Sequence, residues 1–399
     1  MAFDVARIRG LFPALGDGWI HLDGSAGMLV PEQVASAVST AMRAPVSAPG
    51  GGFPASQRAE SIVAAARRAV ADLTGADPDA VVLGPNAPAL LSRLADTLAD
   101  TWTLGDEVVV SRLDEPANTD PWLRAMKRIG GNVRWSEIDI ETCELPAWQY
   151  EQLVGSRTKA VSVTAASGSV GTRPDVSTIA EIAKKVGALV VVDATYAAPF
   201  VPLDIAELGV DVLVLSAQAW GGPAVGALVF RDRELLDRIP SIALDPHATG
   251  PERLELGPHA YPLLAGLVAS VDYLADLDDA AAGSRRDRLL TSLGSAKSYH
   301  VGLLAQLSTE LRSLPHVMLI GDAARRIPTL AFTVADRKAA DVARHLASRN
   351  VCAFADDGTT GVFATLGVGE VGGAVRIGLA HYSNVFEVNQ LVQVLEELV

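Results

Sequence analysis

Lysine is nearly missing from this chain. Of 399 residues, 33 are Lys or Arg, yet the lysines are only Lys127, Lys159, Lys184, Lys185, Lys297 and Lys338. Any chemistry that needs a primary amine must use one of those positions. Cysteine is scarcer still: Cys143 and Cys352 are too few for a disulfide framework or a cysteine-based zinc site. Positive charge is in deficit, with 33 basic against 47 acidic side chains and a formal net charge of −14. That argues against a nucleic-acid backbone as partner, because binding phosphates needs a positive surface. Long apolar runs are absent: Ala188–Val192 and Val212–Leu215 fall far short of the ~20 residues a membrane helix needs. The start, MAFDVARIRGLFPAL, carries an early Asp and no apolar core, so it does not read as a signal peptide. The expectation is a soluble, cytoplasmic protein with no membrane partner. Local catalytic signatures are missing as well. There is no GxGxxG after a first strand, no GxxxxGK loop, no HExxH and no GxSxG elbow, and the seven histidines show no metal-ligand spacing.

What is present is material for a core: 49% of residues are hydrophobic and 20% charged, which excludes disorder. Short β-branched runs alternate with amphipathic stretches from about residue 60 to 235. Strands are expected at Ala80–Leu83, Glu107–Val110, Asn132–Trp135, Lys159–Thr164, Ala188–Val192, Val212–Leu215 and Val225–Phe230. Helices are expected at Ala89–Ala99, Pro121–Arg128, Val176–Val186 and Asp204–Leu208. Continuous apolar strands with helices between them predict an α/β fold with a mostly parallel, seven-stranded sheet covered on both faces. Further on, Pro246–Pro258 reads as a loop and 261–313 as one long helical region. The tail from Arg326 reads as a smaller, βαβ-like α/β unit with strands Thr329–Val334 and Ala374–Leu379 and helices Ala339–Ser348 and Phe386–Leu398. The expected division is a large domain over 30–260 and a small domain from 1–29 and 261–399.

Reactive groups in such sheets gather at the carboxyl ends of the strands. Asp193 ends ALVVVD and suits a cationic ring nitrogen or a metal, or equally a turn. Ser216 ends LVLS and suits an anion, although a turn hydroxyl explains it as well. Asn86 opens a helix after Gly84, where free N–H groups favour phosphate, or it is a plain N-cap. Arg376 lies in the apolar strand AVRIGLAHY and needs an anion, either a ligand carboxylate or an internal partner. His381 reads as a structural imidazole, and Cys352, in VCAF, as an inert core thiol.

The series of strand ends resembles the class-V aminotransferases of pyridoxal-phosphate (PLP) fold type I, nearest their cysteine-desulfurase-like branch. The blocks are IRGLFPAL, HLDGSAGMLVP, ADPDAVVLGPNAPALL, DEPANTDPW, SGSVGTRP, VVDATYAAP, LSAQAWGGPAVGALV and VRIGLAHYSNVFEV, in order over nearly the whole chain. The resemblance implies a PLP-transferase-like fold, a homodimer, Asp193 as pyridinium partner, Ser216 as a phosphate contact and Arg376 as the substrate-carboxylate arginine. It also marks where this chain departs. The family segment Ser-x-His-Lys-x-x-Gly-Pro reads here with Gln218 for His and Ala219 for the Schiff-base Lys. Glu115 stands for the ring-stacking His, Gly168 for the Asn of a Ser-Asn-x-x-Gly turn, and Tyr196 for the Gln three residues after Asp193. The phosphate loop Gly-x-Asn-x-Thr reads Gly84-Pro85-Asn86-Ala87-Pro88, and the partner's Gly-Thr reads Gly257-Pro258. The loop 356–369 holds no desulfurase cysteine. The expected cofactor-site residues are therefore Asp193, Ser216, Asn86, Ala87, Tyr196 and Gly168, with no metal ligands.

Two functional readings follow. The first is a divergent member with no covalently bound PLP, a pseudoenzyme or a repurposed site for a small molecule bearing a carboxylate. The second is an aminotransferase or C–S lyase that holds PLP or its amine form noncovalently, with Glu115, Tyr196 or His381 moving the proton. Whether the chain is an enzyme stays open at this point.

Overall fold

The computed structural model describes residues 3–398. The seven expected strands form one sheet in the order Val81–Gly84, Gly226–Phe230, Val212–Ser216, Leu189–Asp193, Thr158–Thr164, Glu107–Ser111, Asn132–Ser136. Neighbours are parallel except around Gly226–Phe230, which runs antiparallel to both strands beside it. Each strand serves two cores, because successive side chains leave opposite faces. Val109, Val161, Val163, Val190, Val192 and Leu213 face one core. Val108, Val110, Val191, Val212, Val214 and Leu228 face the other. This double burial is why the strands read as unbroken apolar runs.

The covering helices begin where local chemistry starts them. Ala87–Ala99 is capped by Asn86, and Val176–Lys184 by Asp175. The helix expected at Pro121–Arg128 runs over Pro116–Ile129, because Pro116 occupies its first turn, where a missing N–H costs nothing. The region 261–313 is two helices, Tyr261–Ala275 and Arg285–Ser313, the second opened by a Ser284/Asp287 capping box. The Pro246–Pro258 loop contains one 3-10 turn, Gly250–Leu254.

The C-terminal unit corrects the βαβ-like reading. Its four strands, ordered Phe354–Asp356, Ala374–Gly378, Thr329–Val334 and Val317–Ile320, pair antiparallel throughout. The strand Val317–Ile320 was not anticipated: it follows a helix closely and alternates too briefly to show a period. The N-terminal segment joins this unit through a two-residue parallel pairing, Ile20 opposite Val351 and His21 opposite Cys352. Leu22 is fully buried in the same core as Leu330, Phe332 and Val375.

Candidate functional site

A cavity of about 520 Å³ opens at the carboxyl ends of the central strands. Of the sequence-predicted residues, Asn86, Ala87, Glu115, Asp193, Tyr196, Ser216, Gln218 and Ala219 line it. Gly168 and Arg376 do not line it, but each lies against a residue that does, Gly168 against Tyr196 and Arg376 against Glu115.

Asp193 ends its strand, and its carboxylate accepts the Thr195 N–H at 2.9 Å. It therefore shapes the turn, and its carboxyl also lies on the cavity wall. Burial raises its proton affinity and the nearby Glu115 charge adds to that, while hydrogen bonds from Thr195 oppose the shift. A cation in the cavity would be drawn to it.

Glu115 accepts the Ser169 hydroxyl at 2.6 Å, and the Arg376 guanidinium lies 4.0 Å away, too far for a hydrogen bond. Arg376 sits 5.7 Å from the Phe354 ring centre, and its side chain is only 18% exposed. It makes no hydrogen bond among the described residues, and its Nε is buried without a partner. A guanidinium this buried, with its anion only at 4.0 Å and no hydrogen bond, leaves donors free for a second anion.

Gly168 and Tyr196 form one packing unit. A Cβ on Gly168 would fall 2.6 Å from the Tyr196 ring, so the ring fills the space a side chain there would need. Burial pushes the Tyr196 hydroxyl up to about 12.

His381 stands apart from the cavity. Its Nε2–H donates to the Pro199 carbonyl at 2.6 Å and its Nδ1 accepts the Tyr273 hydroxyl at 2.8 Å. Burial lowers it to about 3, so it is a neutral structural imidazole with no free nitrogen to move a proton. Cys352 corrects another expectation: it is part-exposed and faces His21 and Asp23.

Sequence reasoning passed over Asp114. Its carboxyl accepts from the Ser111 hydroxyl and, at 2.5 Å, from the Asn118 amide, whose Oδ1 takes the Ser162 hydroxyl at 3.2 Å. Burial lifts this carboxyl to about 7, with Asp193 and Glu115 adding repulsion and the two hydrogen bonds opposing. The available signal was an Asp and an Asn four residues apart where a helix begins.

The aminotransferase class-V family model matches residues 20–391. The chain belongs to that family. An uncharacterised protein of Mycobacterium tuberculosis is 50% identical over the full length of both chains. A probable cysteine desulfurase of Streptomyces coelicolor is 26% identical over 87% of this chain and 86% of its own. Among solved structures, the apo cysteine desulfurase of Thermococcus onnurineus NA1 is similar at a TM-score of 0.88 and 25% identity, covering 100% of this chain and 98% of that one.

Class-V aminotransferases depend on PLP, and the cavity can be tested against that group. One end fits: Asp193 faces the cavity where a pyridinium nitrogen needs a carboxylate. The other end does not. Ala219 offers a methyl, and none of the six lysines lines the cavity. Lys159 pairs with Asp106 at the opposite end of the sheet, 3.5 Å away, and Lys297 lines a small separate cavity beside His300. In the first turn of Ala87–Ala99, Pro88 has no N–H, the Ala89 N–H goes to the Asn86 side chain at 2.8 Å, and the Leu90 N–H to the Asn86 carbonyl. Only the Ala87 N–H is left to a phosphate in that turn, among the described residues. Glu115 adds a negative charge where a ring face is needed. These residues do not fit a lysine-bound PLP.

Proposed function

We propose that this class-V aminotransferase-like protein binds a small zwitterionic molecule noncovalently in the old cofactor cavity and forms no Schiff base with PLP. Ala219 carries the second half of the reading: a methyl in the cavity cannot form an imine, and none of the six lysines lines it. The ligand chemistry follows from the charges at and beside the cavity. Asp193 and Glu115 on its wall favour a cationic group, and Arg376, 4.0 Å from Glu115, supplies a cation for a carboxylate. In this reading the working unit is a homodimer, and no aminotransferase or desulfurase step is assigned to the chain.

Incubation with excess PLP, followed by spectroscopy and borohydride reduction, tests the proposal. The expected result is no yellow band that dialysis fails to remove and no reduced PLP adduct on any lysine. A stable band that borohydride converts into a labelled lysine peptide would overturn it. A saturable PLP complex that dialysis removes and borohydride fixes to no lysine would instead favour the noncovalent cofactor reading.

A further inference from the structure

We propose that His21, Asp23 and Cys352 form a zinc site that clips the N-terminal segment to the C-terminal unit. Spacing along the chain gave no hint of it, since two ligands sit near the start and the third near the end. The parallel pairing of Ile20–His21 with Val351–Cys352 sets His21 directly beside Cys352. Asp23 follows His21 by two residues, the interval that returns a side chain to the same side of an extended segment.

The ligand atoms, a ring nitrogen, a thiol sulfur and a carboxylate oxygen, all lie within 4.8 Å of one another. The His21 Nδ1 to Asp23 Oδ1 separation is 3.6 Å. Two ligands of a tetrahedral zinc, at bond lengths of ~2.0–2.3 Å, stand roughly 3.3–3.7 Å apart. The pair is therefore too distant for a hydrogen bond and spaced for a shared ion.

The imidazole is prepared for the task. His21 is 9% exposed, its Nε2 meets the Asp17 carboxylate at 3.1 Å, and its Nδ1 is buried with no hydrogen-bond partner among the described residues. A carboxylate only accepts, so Asp17 fixes the proton on Nε2 and leaves the Nδ1 lone pair free, 3.6 Å from Asp23 Oδ1. A carboxylate behind a ligating histidine is the usual outer partner of a zinc-bound imidazole. Thiolate, imidazole and carboxylate together favour zinc over calcium or magnesium, which take oxygen alone. Asp17 and Asp23 keep partial exposure, which gives the ion a way in and leaves room for water as fourth ligand.

Cobalt(II) serves as the spectroscopic probe and zinc as the competitor, both added to the full chain. The expected result is one cobalt per chain with a thiolate-to-metal absorption band, displaced by equimolar zinc. Cys352→Ser should abolish the band and Cys143→Ser should keep it. Asp17→Asn, a change in a positioning residue, should weaken zinc about 10–100-fold while leaving the band's shape intact. A protein that shows no thiolate band, or one whose band survives Cys352→Ser, would overturn the site. Circular dichroism on each variant separates lost ligation from lost folding. If Cys352→Ser fails to fold, His21→Gln must remove the band in its place.

Discussion

Replacing Ala219 by lysine restores the one group most obviously missing, and we expect it to fail. Ala219 lines the cavity and is 6% exposed, so Ala219→Lys places an amine beside Asp193 and Glu115. The phosphate end remains short of donors. Relative to the family pattern, Pro88 withdraws a hydroxyl and an N–H, and Pro258 withdraws another hydroxyl. A hydrogen bond to a charged group contributes about 1.5–3 kcal/mol, so three lost donors amount to roughly 4.5–9 kcal/mol. At 1.4 kcal/mol per factor of ten, that is about three to six powers of ten in PLP affinity. The introduced amine will also pair with the two carboxylates, which further disfavours attack on an aldehyde. The assay is a PLP titration followed by borohydride reduction and mass mapping of the labelled lysines. We expect position 219 to label no better than the six native lysines. Adding Pro88→Thr and Pro258→Thr should tighten binding stepwise, by about 10–100-fold for each recovered hydrogen bond. Stoichiometric labelling of Ala219→Lys alone at low PLP would refute the reasoning, because only the amine would then have been missing.

Other consequences are open to direct measurement. Gly168→Ala drives a Cβ to 2.6 Å from the Tyr196 ring and should cost about 1–3 kcal/mol in denaturant melts. Tyr196→Gln in the same chain should recover much of that loss, and additive effects would disprove the coupling. Glu115→Gln keeps an acceptor for Ser169 but removes the charge 4.0 Å from Arg376. Succinate, as a carboxylate probe, should then bind up to about fivefold tighter by calorimetry, since a part-exposed pair contributes at most about 1 kcal/mol. The Asp114 carboxyl, near 7 in the fold and 3.8 in a free chain, stays protonated over a range where the unfolded chain has lost its proton. Stability should therefore fall as pH rises from about 4 to 7, by on the order of 4 kcal/mol from this group. Asp114→Asn should flatten that part of the profile, and identical melting curves across pH for both proteins would refute the assignment.

The sheet was readable because its strands are buried on both faces: Val108–Val110 and Val190–Val192 supply each core in turn, and nothing polar interrupts the run. The short pairing of Ile20–His21 with Val351–Cys352 was not readable, since two residues carry no period and their partners are distant in sequence. The cavity walls were legible wherever a residue ends a strand, as Asp193 and Ser216 do. Arg376 was legible as a cation in need of an anion, but the order of its neighbours was not. That Glu115 turns to Ser169 and stops short of Arg376 depends on the packing of three separate segments. Asn86 was left with two readings, and the structure gives its side chain to the cap. The contact of Gly168 with Tyr196 joins two loops and has no signature in either.

The departures from the family pattern fit one another. Unselected decay substitutes positions independently, which leaves voids beside shrunken residues and buried polar atoms beside lost partners. Here the space above Gly168 is filled by Tyr196. The new carboxylate of Glu115 has the Ser169 hydroxyl to accept. Pro88 stands at the second position of its helix, where a missing N–H is harmless, and Asn86 caps the next free one. Compensation at three separate points is what the proposed change of occupant requires. Two groups of opposite kind remain close to it: the Asp193 carboxyl on its wall, and the Arg376 guanidinium, whose Nε has no partner among the described residues, 4.0 Å from the lining Glu115. An acid on the wall and a cation just beyond Glu115 are the polarity that the proposed zwitterionic ligand needs.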